Sequence, residues 1–339
     1  MKRTLSFDDV LLEPQYSDIQ SRTEEVVLDS SLGLVKTQLP IISSPMDTVT
    51  EDDMASQMHK WGGLGIIHRY NSIEDQALLV TRARFTGAMN IGAAIGVSGD
   101  YIERALALVE SGANILCVDI AHGHHVLMRH ALSVLRNTLG TKVHIMAGNV
   151  ATLPAVNDLA DWGADSVRIG IGGGSICSTR IQTGHGMPTL QSIIECAMTD
   201  RDVSLVADGG IRNSGDICKA LAAGADYVML GSMLSGTEES PGEKNYNSKT
   251  GRFYKAYRGM ASVEAQIDWR GHTASVEGVA STVDYKGSVG EVLEGIARGV
   301  RSGLSYSGAR SIREFQASAK MIQITSSGMA ESKTHILNT

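Results

Sequence analysis

Cysteine is scarce in this chain of 339 residues. Its four copies, Cys117, Cys177, Cys196 and Cys218, show no Cys-x-x-Cys spacing and no disulfide-like density, which points to a reducing, cytoplasmic setting. Long apolar runs are missing too. None approaches the roughly 18 residues that cross a bilayer, and the start Met1-Lys2-Arg3-Thr4 leads into polar sequence rather than a leader's apolar stretch, so no membrane association is expected. Positive charge is in deficit, with 30 Lys and Arg against 37 Asp and Glu, a net charge of -7 and no basic cluster; nucleic acid and anionic membrane are therefore poor partners. No glycine fingerprint for a dinucleotide stands near the first turn. His122, His124 and His125 are close in sequence but have no further ligand at metal-site spacing, so no metal is expected.

What is present is a large apolar fraction, 42% against 20% charged, enough to bury the core of one big α/β domain spanning 1–339. Eight short runs rich in Val, Ile and Leu recur at 39–46, 63–68, 90–96, 115–121, 143–149, 166–172, 204–210 and 227–232. They lack clean alternation, as strands buried on both faces of a parallel sheet do, and segments of helical spacing lie between them. Eight strand-then-helix repeats predict a closed (β/α)8 TIM barrel rather than an open doubly wound sheet. That fold places active sites where strands end, and polar residues gather there: Ser43, Ser44 and Asp47, His68 and Arg69, Asp119 and His122, Asn149, Asp208, and Ser232.

The most informative of these ends is Gly170-Ile171-Gly172-Gly173-Gly174-Ser175-Ile176-Cys177-Ser178-Thr179-Arg180. Glycines let backbone N–H groups approach an anion, Ser175 adds a hydroxyl, and Cys177 faces whatever the anion carries. Asp208-Gly209-Gly210 offers a carboxylate for ribose hydroxyls and N–H groups for phosphate, which Gly231-Ser232 could complete. A nucleotide is the predicted ligand. Taken singly, the same residues also suit tight turns and a small buried thiol.

The order of motifs from Leu5-Ser6-Phe7-Asp8-Asp9 through Ser43-Ser44-Pro45-Met46-Asp47, the Cys177 loop, Ala207-Asp208-Gly209-Gly210, Leu230-Gly231-Ser232 and Tyr257-Arg258-Gly259-Met260 to Ile324-Thr325-Ser326-Ser327-Gly328 resembles the inosine monophosphate dehydrogenase and guanosine monophosphate reductase family. The resemblance implies a barrel that binds a purine nucleoside monophosphate and a nicotinamide cofactor, usually as a homotetramer, with a possible monovalent cation at the 172–177 loop. It implies that Cys177 attacks purine C2 and that Thr179 handles protons. Ser175, Gly210, Gly231, Ser232 and Tyr257 would hold the 5′-phosphate, with Gly209 in the same turn, and Asp208 the ribose. Gly259 and Met260 would meet the base, with Ser44 and Met46 on its other side, and Asp119, Asn149 and Arg180 would lie near the nicotinamide.

Within the family, the resemblance leans towards the reductase, which converts GMP to IMP and ammonia with NADPH. A dehydrogenase carries an Arg-Tyr pair in a mobile flap and usually a regulatory CBS insert after the second helix. Here 81–90 has room only for a connector, and the flap at about 262–285 contains no such dipeptide. Glu277 resembles the reductase glutamate that pairs with the catalytic threonine. Ser43-Ser44-Pro45-Met46, the stretch 237–243 and the tail segment 328–332 look as much like the dehydrogenase, so IMP oxidation to XMP with NAD stays as the alternative. The polar tail from about 325 to 339 should pack weakly or meet a neighbour.

Overall fold

The computed structural model describes residues 2–33 and 35–334. Each of the eight expected runs forms a strand: β1 (Ile41–Ser43), β2 (Leu64–Ile67), β3 (Ile91–Ile95), β4 (Ile115–Asp119), β5 (His144–Val150), β6 (Ser166–Ile169), β7 (Ser204–Asp208) and β8 (Tyr227–Leu230). They pair in parallel, each with its sequence neighbours, and β8 closes on β1 through Leu230 opposite Ser43. A helix follows every strand: α1 (Asp52–Lys60), α2 (Ile73–Phe85), α3 (Tyr101–Glu110), α4 (Val126–Leu139), α5 (Leu153–Asp161), α6 (Thr189–Cys196), α7 (Ser214–Ala222) and α8 (Val289–Tyr306). The fold is a (β/α)8 TIM barrel. In α8 the buried residues Val289, Leu293, Ile296, Ala297, Val300 and Leu304 recur at helical spacing on one face, and Ser288 caps the first turn by accepting from Gly290 N–H.

Two cores result. One lies between the sheet and the helices. The other fills the barrel with Ile42, Leu64, Ile66, Ala94, Ile115, Cys117, Met146, Val206, Tyr227 and Met229. An antiparallel pair, Ser30–Leu32 with Val35–Thr37, plugs the N-terminal end with Leu32 and Val35, and Thr37 Oγ1 lies 2.8 Å from the Tyr227 hydroxyl. Along a strand, alternate residues point inward, so β4 presents Ile115, Cys117 and then Asp119, and β7 presents Val206 and then Asp208. The interior thus changes from apolar to charged towards the strands' C-terminal ends.

Additions to the barrel position the site. Between β8 and α8 a three-stranded antiparallel sheet, Asn245–Asn247, Arg252–Arg258 and Ala280–Asp284, stands with the helix Val263–Arg270 inserted between its second and third strands. The expected flap is this helix, a connecting stretch and the third strand. Only 86–90 separates α2 from β3. Near the chain ends, Val10–Leu12 pairs antiparallel with Met321–Gln323. In the expected tail a helix covers Ser326–Glu331, and 335–339 lies outside the described residues.

Candidate active site

The glycine-rich loop after β6 carries Cys177, half-buried, beside the segment that follows the helix Val263–Arg270. Cys177 forms a bridge with Gly278, Ser178 N–H donates to the Glu277 carbonyl at 2.8 Å and Val279 N–H to the Ile176 carbonyl at 3.0 Å. This backbone contact brings two distant stretches into line. The Cys177 thiol donates to Thr179 Oγ1 at 3.2 Å, and the Thr179 hydroxyl donates to Glu277 Oε2 at 2.7 Å. A thiol, a hydroxyl and a carboxylate in series can take a proton from sulfur and return it to a group above.

Above them opens a cavity of about 420 Å³, within the range of small-molecule sites. One end is built from glycine. Gly209 and Gly210 adopt φ of +92° and +80°, conformations that side chains resist, and a Cβ on Gly209 would meet the Gly174 nitrogen at 3.1 Å, so two loops touch backbone to backbone. A Cβ on Gly231 would lie 3.0 Å from the Tyr257 hydroxyl and 3.2 Å from Ser44 Oγ, which is buried without a partner among the described residues. Burial pushes the Tyr257 phenol up, against the effect of Ser175, so it stays a neutral donor. Ser175, Ser232, Tyr257 and the glycines form a cradle of donors suited to an anion.

The floor is ionic. Arg168, pointing inward from β6, is buried and reaches Asp119 Oδ1 at 2.7 Å, Asp208 Oδ2 at 2.9 Å and Cys117 Sγ at 3.2 Å. Burial opposes its charge, but Cys117, Asp208 and Asp119 outweigh that cost and hold its pKa well above the ordinary value. Asn149 Nδ2 donates to the same Asp208 oxygen at 2.8 Å and to the Gly170 carbonyl at 2.9 Å. The donors on Asp208 converge on Oδ2, and among the described residues Oδ1 takes no hydrogen bond.

Of the residues expected from sequence, Cys177, Thr179, Glu277, Ser44, Met46, Ser175, Asp208, Gly209, Gly210, Gly231, Ser232, Tyr257, Gly259, Met260, Asp119 and Asn149 all line this one cavity. Arg180 does not. It is exposed, its stem lies across Gly172 and Gly186, and Nη2 donates to the Met187 carbonyl at 2.7 Å. The arginine hydrogen-bonded to the carboxylates of Asp119 and Asp208 is Arg168, which sequence reasoning passed over. Its signal was a single charge at an inward position of an otherwise apolar strand. Tyr70, also lining the cavity, was passed over as well, and Arg69 was noted only as a strand end. Two of the histidines have other partners: His124 Nε2 lies 2.7 Å from Asp158, and His125 Nδ1 accepts from Leu127 N–H. Among the described residues no helix is long and apolar enough to cross a membrane, and no group of three or more His, Cys, Asp or Glu could hold a metal ion.

The family model for the IMP dehydrogenase / GMP reductase domain matches residues 4–335. The chain belongs to that family. Similar proteins in this IMP dehydrogenase / GMP reductase family bear both names. An inosine-5′-monophosphate dehydrogenase of Nitrosopumilus maritimus is 33% identical over 98% of this chain and 98% of its own. A GMP reductase of Leishmania major is 32% identical over 98% and 96%. The crystal structure of a Trypanosoma brucei GMP reductase in complex with guanosine 5′-monophosphate superposes with a TM-score of 0.93, at 31% identity, covering 99% of this chain and 98% of that one. Family membership makes the protein an oxidoreductase acting on purine nucleotides, without deciding between the two activities.

Proposed function

We propose that this protein is a GMP reductase that converts GMP to IMP and ammonia at the expense of NADPH. The observation that carries the reading is the unbroken line from Cys177 Sγ through Thr179 Oγ1 to Glu277 Oε2, which stands on a flap that holds no Arg-Tyr pair to activate water. The phosphate of GMP sits in the cradle of Ser175, Gly210, Gly231, Ser232 and Tyr257, its ribose on Asp208, and its base between Met260 and the Ser44–Met46 turn. The Cys177 proton passes through Thr179 to Glu277, and the thiolate forms a bond to purine C2. The relay then returns the proton to the C2 amino group, the C2–N bond breaks and ammonia leaves. Asp119, Asn149 and Arg168 line the side where the reduced nicotinamide, which supplies the hydride for C2, would be held. Cleavage of the C2–S bond releases IMP and restores the thiolate. The docked segment 276–279 shields the sulfur–carbon bond from water until then.

The deciding experiment follows reduced-cofactor absorbance in two mixtures of the purified protein. A fall with GMP and NADPH is expected; a rise with IMP and NAD, and no change in the first mixture, would replace this reading with dehydrogenation.

A further inference from the structure

The cavity's second end, away from the glycine cradle, carries a donor and an acceptor that do not satisfy each other. Among the described residues Arg69 Nε is buried with no hydrogen-bond partner, and Asp119 Oδ2 takes no hydrogen bond, the one from Arg168 going to Oδ1. The two atoms lie 3.8 Å apart, too far to bond directly. The guanidinium is fixed in this position. Its Nη2 donates to the Asp119 carbonyl at 3.3 Å, and its carbon sits 5.6 Å from the Tyr70 ring centre and 5.5 Å from that of Trp269, while these rings stack at 4.1 Å.

A primary carboxamide has the complementary pattern, one carbonyl acceptor beside an N–H donor, with oxygen and nitrogen about 2.2 Å apart from standard bond lengths. Set facing the two atoms, with its oxygen towards Arg69 and its nitrogen towards Asp119, it accepts from Arg69 Nε–H and donates to Asp119 Oδ2. We infer that Arg69 is a specificity-determining residue for the second substrate, reading the carboxamide oxygen of a nicotinamide ring. The inference rests on the reading that a nicotinamide dinucleotide is that substrate, in either direction of reaction. Arg168 is largely committed elsewhere: four of its five N–H groups already go to Asp119, Asp208 and Cys117.

The test uses Cys177→Ser protein saturated with GMP, so that binding is measured without turnover, and titrates NADPH and its thionicotinamide analogue, whose sulfur is a poor acceptor. With Arg69 present, NADPH is expected to bind about tenfold more tightly than the analogue. Arg69→Met should weaken NADPH about tenfold, bring the preference close to one and leave GMP affinity unchanged. Arg69→Lys, which keeps the cation beside the rings, should fold and also lose the preference. A preference that survives both substitutions, or equal weakening of both dinucleotides, would reduce Arg69 to a packing role and overturn the inference. If NADPH does not bind, the same titration with IMP, NAD and thio-NAD separates the two claims. A preference dependent on Arg69 there upholds the inference and removes the reductase reading, and no dinucleotide binding in either pair overturns both.

Discussion

The four thiols show how far environment decides chemistry. Burial pushes Cys117 up to about 11 and Cys196 and Cys218 up to about 12, so these three remain protonated packing groups. Cys177 alone faces the cavity with a proton acceptor in reach. Glu277→Gln keeps an oxygen for the Thr179 hydroxyl but cannot take a proton. It should lower turnover of GMP by roughly 10²- to 10⁴-fold with GMP affinity little changed, and stopped-flow separation of deamination from hydride transfer should show the first slowed more. A second prediction concerns His144, at the start of β5, where burial lowers the imidazole from 6.5 to about 4 while Nε2 lies 2.8 Å from Ser166 Oγ. Between about pH 6.5 and 4 the native state keeps this ring neutral while the unfolded chain protonates it. Its contribution is therefore intact above pH 6.5 and is lost as pH falls towards 4, by up to about 3 kcal/mol. Urea unfolding at pH 7 and pH 4.5 should show a smaller loss in His144→Asn than in the wild type.

Strands and helices were legible because their patterns are local. Runs at 115–121 and 204–210 are apolar, then end in a carboxylate at an inward position, and each became a strand ending in Asp119 or Asp208. The strand Arg252–Arg258 and the helix Val263–Arg270 were not marked in advance. The first mixes charges with aromatics and buries a lysine, Lys255, beside Tyr257, and the second has only Ala265 and Gln266 buried, so neither shows a strong apolar period. Loop contact makes its own prediction. Gly209→Ala demands φ of +92° from a residue with a Cβ and presses that Cβ on Gly174, at a cost of about 1–3 kcal/mol. Because the strain falls on the loop that carries Cys177, urea titration and GMP turnover should both register it, with turnover lost even where the protein remains folded.

At the scale of the molecule, closure of eight strands brings residues from 44 to 278 in the chain to one rim, and paired segments near both chain ends hold the barrel from outside. A nucleotide that binds only this assembled rim stabilises it by about 2.7 kcal/mol at a hundredfold excess over its Kd. GMP should therefore raise the unfolding temperature by a few degrees in a thermal melt, and guanosine, lacking the phosphate for the cradle, should do much less. Equal shifts from both would remove the cradle's assigned role. The sequence by itself determined the barrel and the glycine loops and singled out Cys177 at the end of one of them, because backbone periodicity and glycine's freedom are properties of neighbouring residues. Only the tertiary structure decided that Arg168 rather than Arg180 enters the cavity, and that Arg69 and Asp119 face each other with unused hydrogen-bonding atoms. Those outcomes depend on which way side chains point when distant strands meet, and on how charges pair once water is excluded.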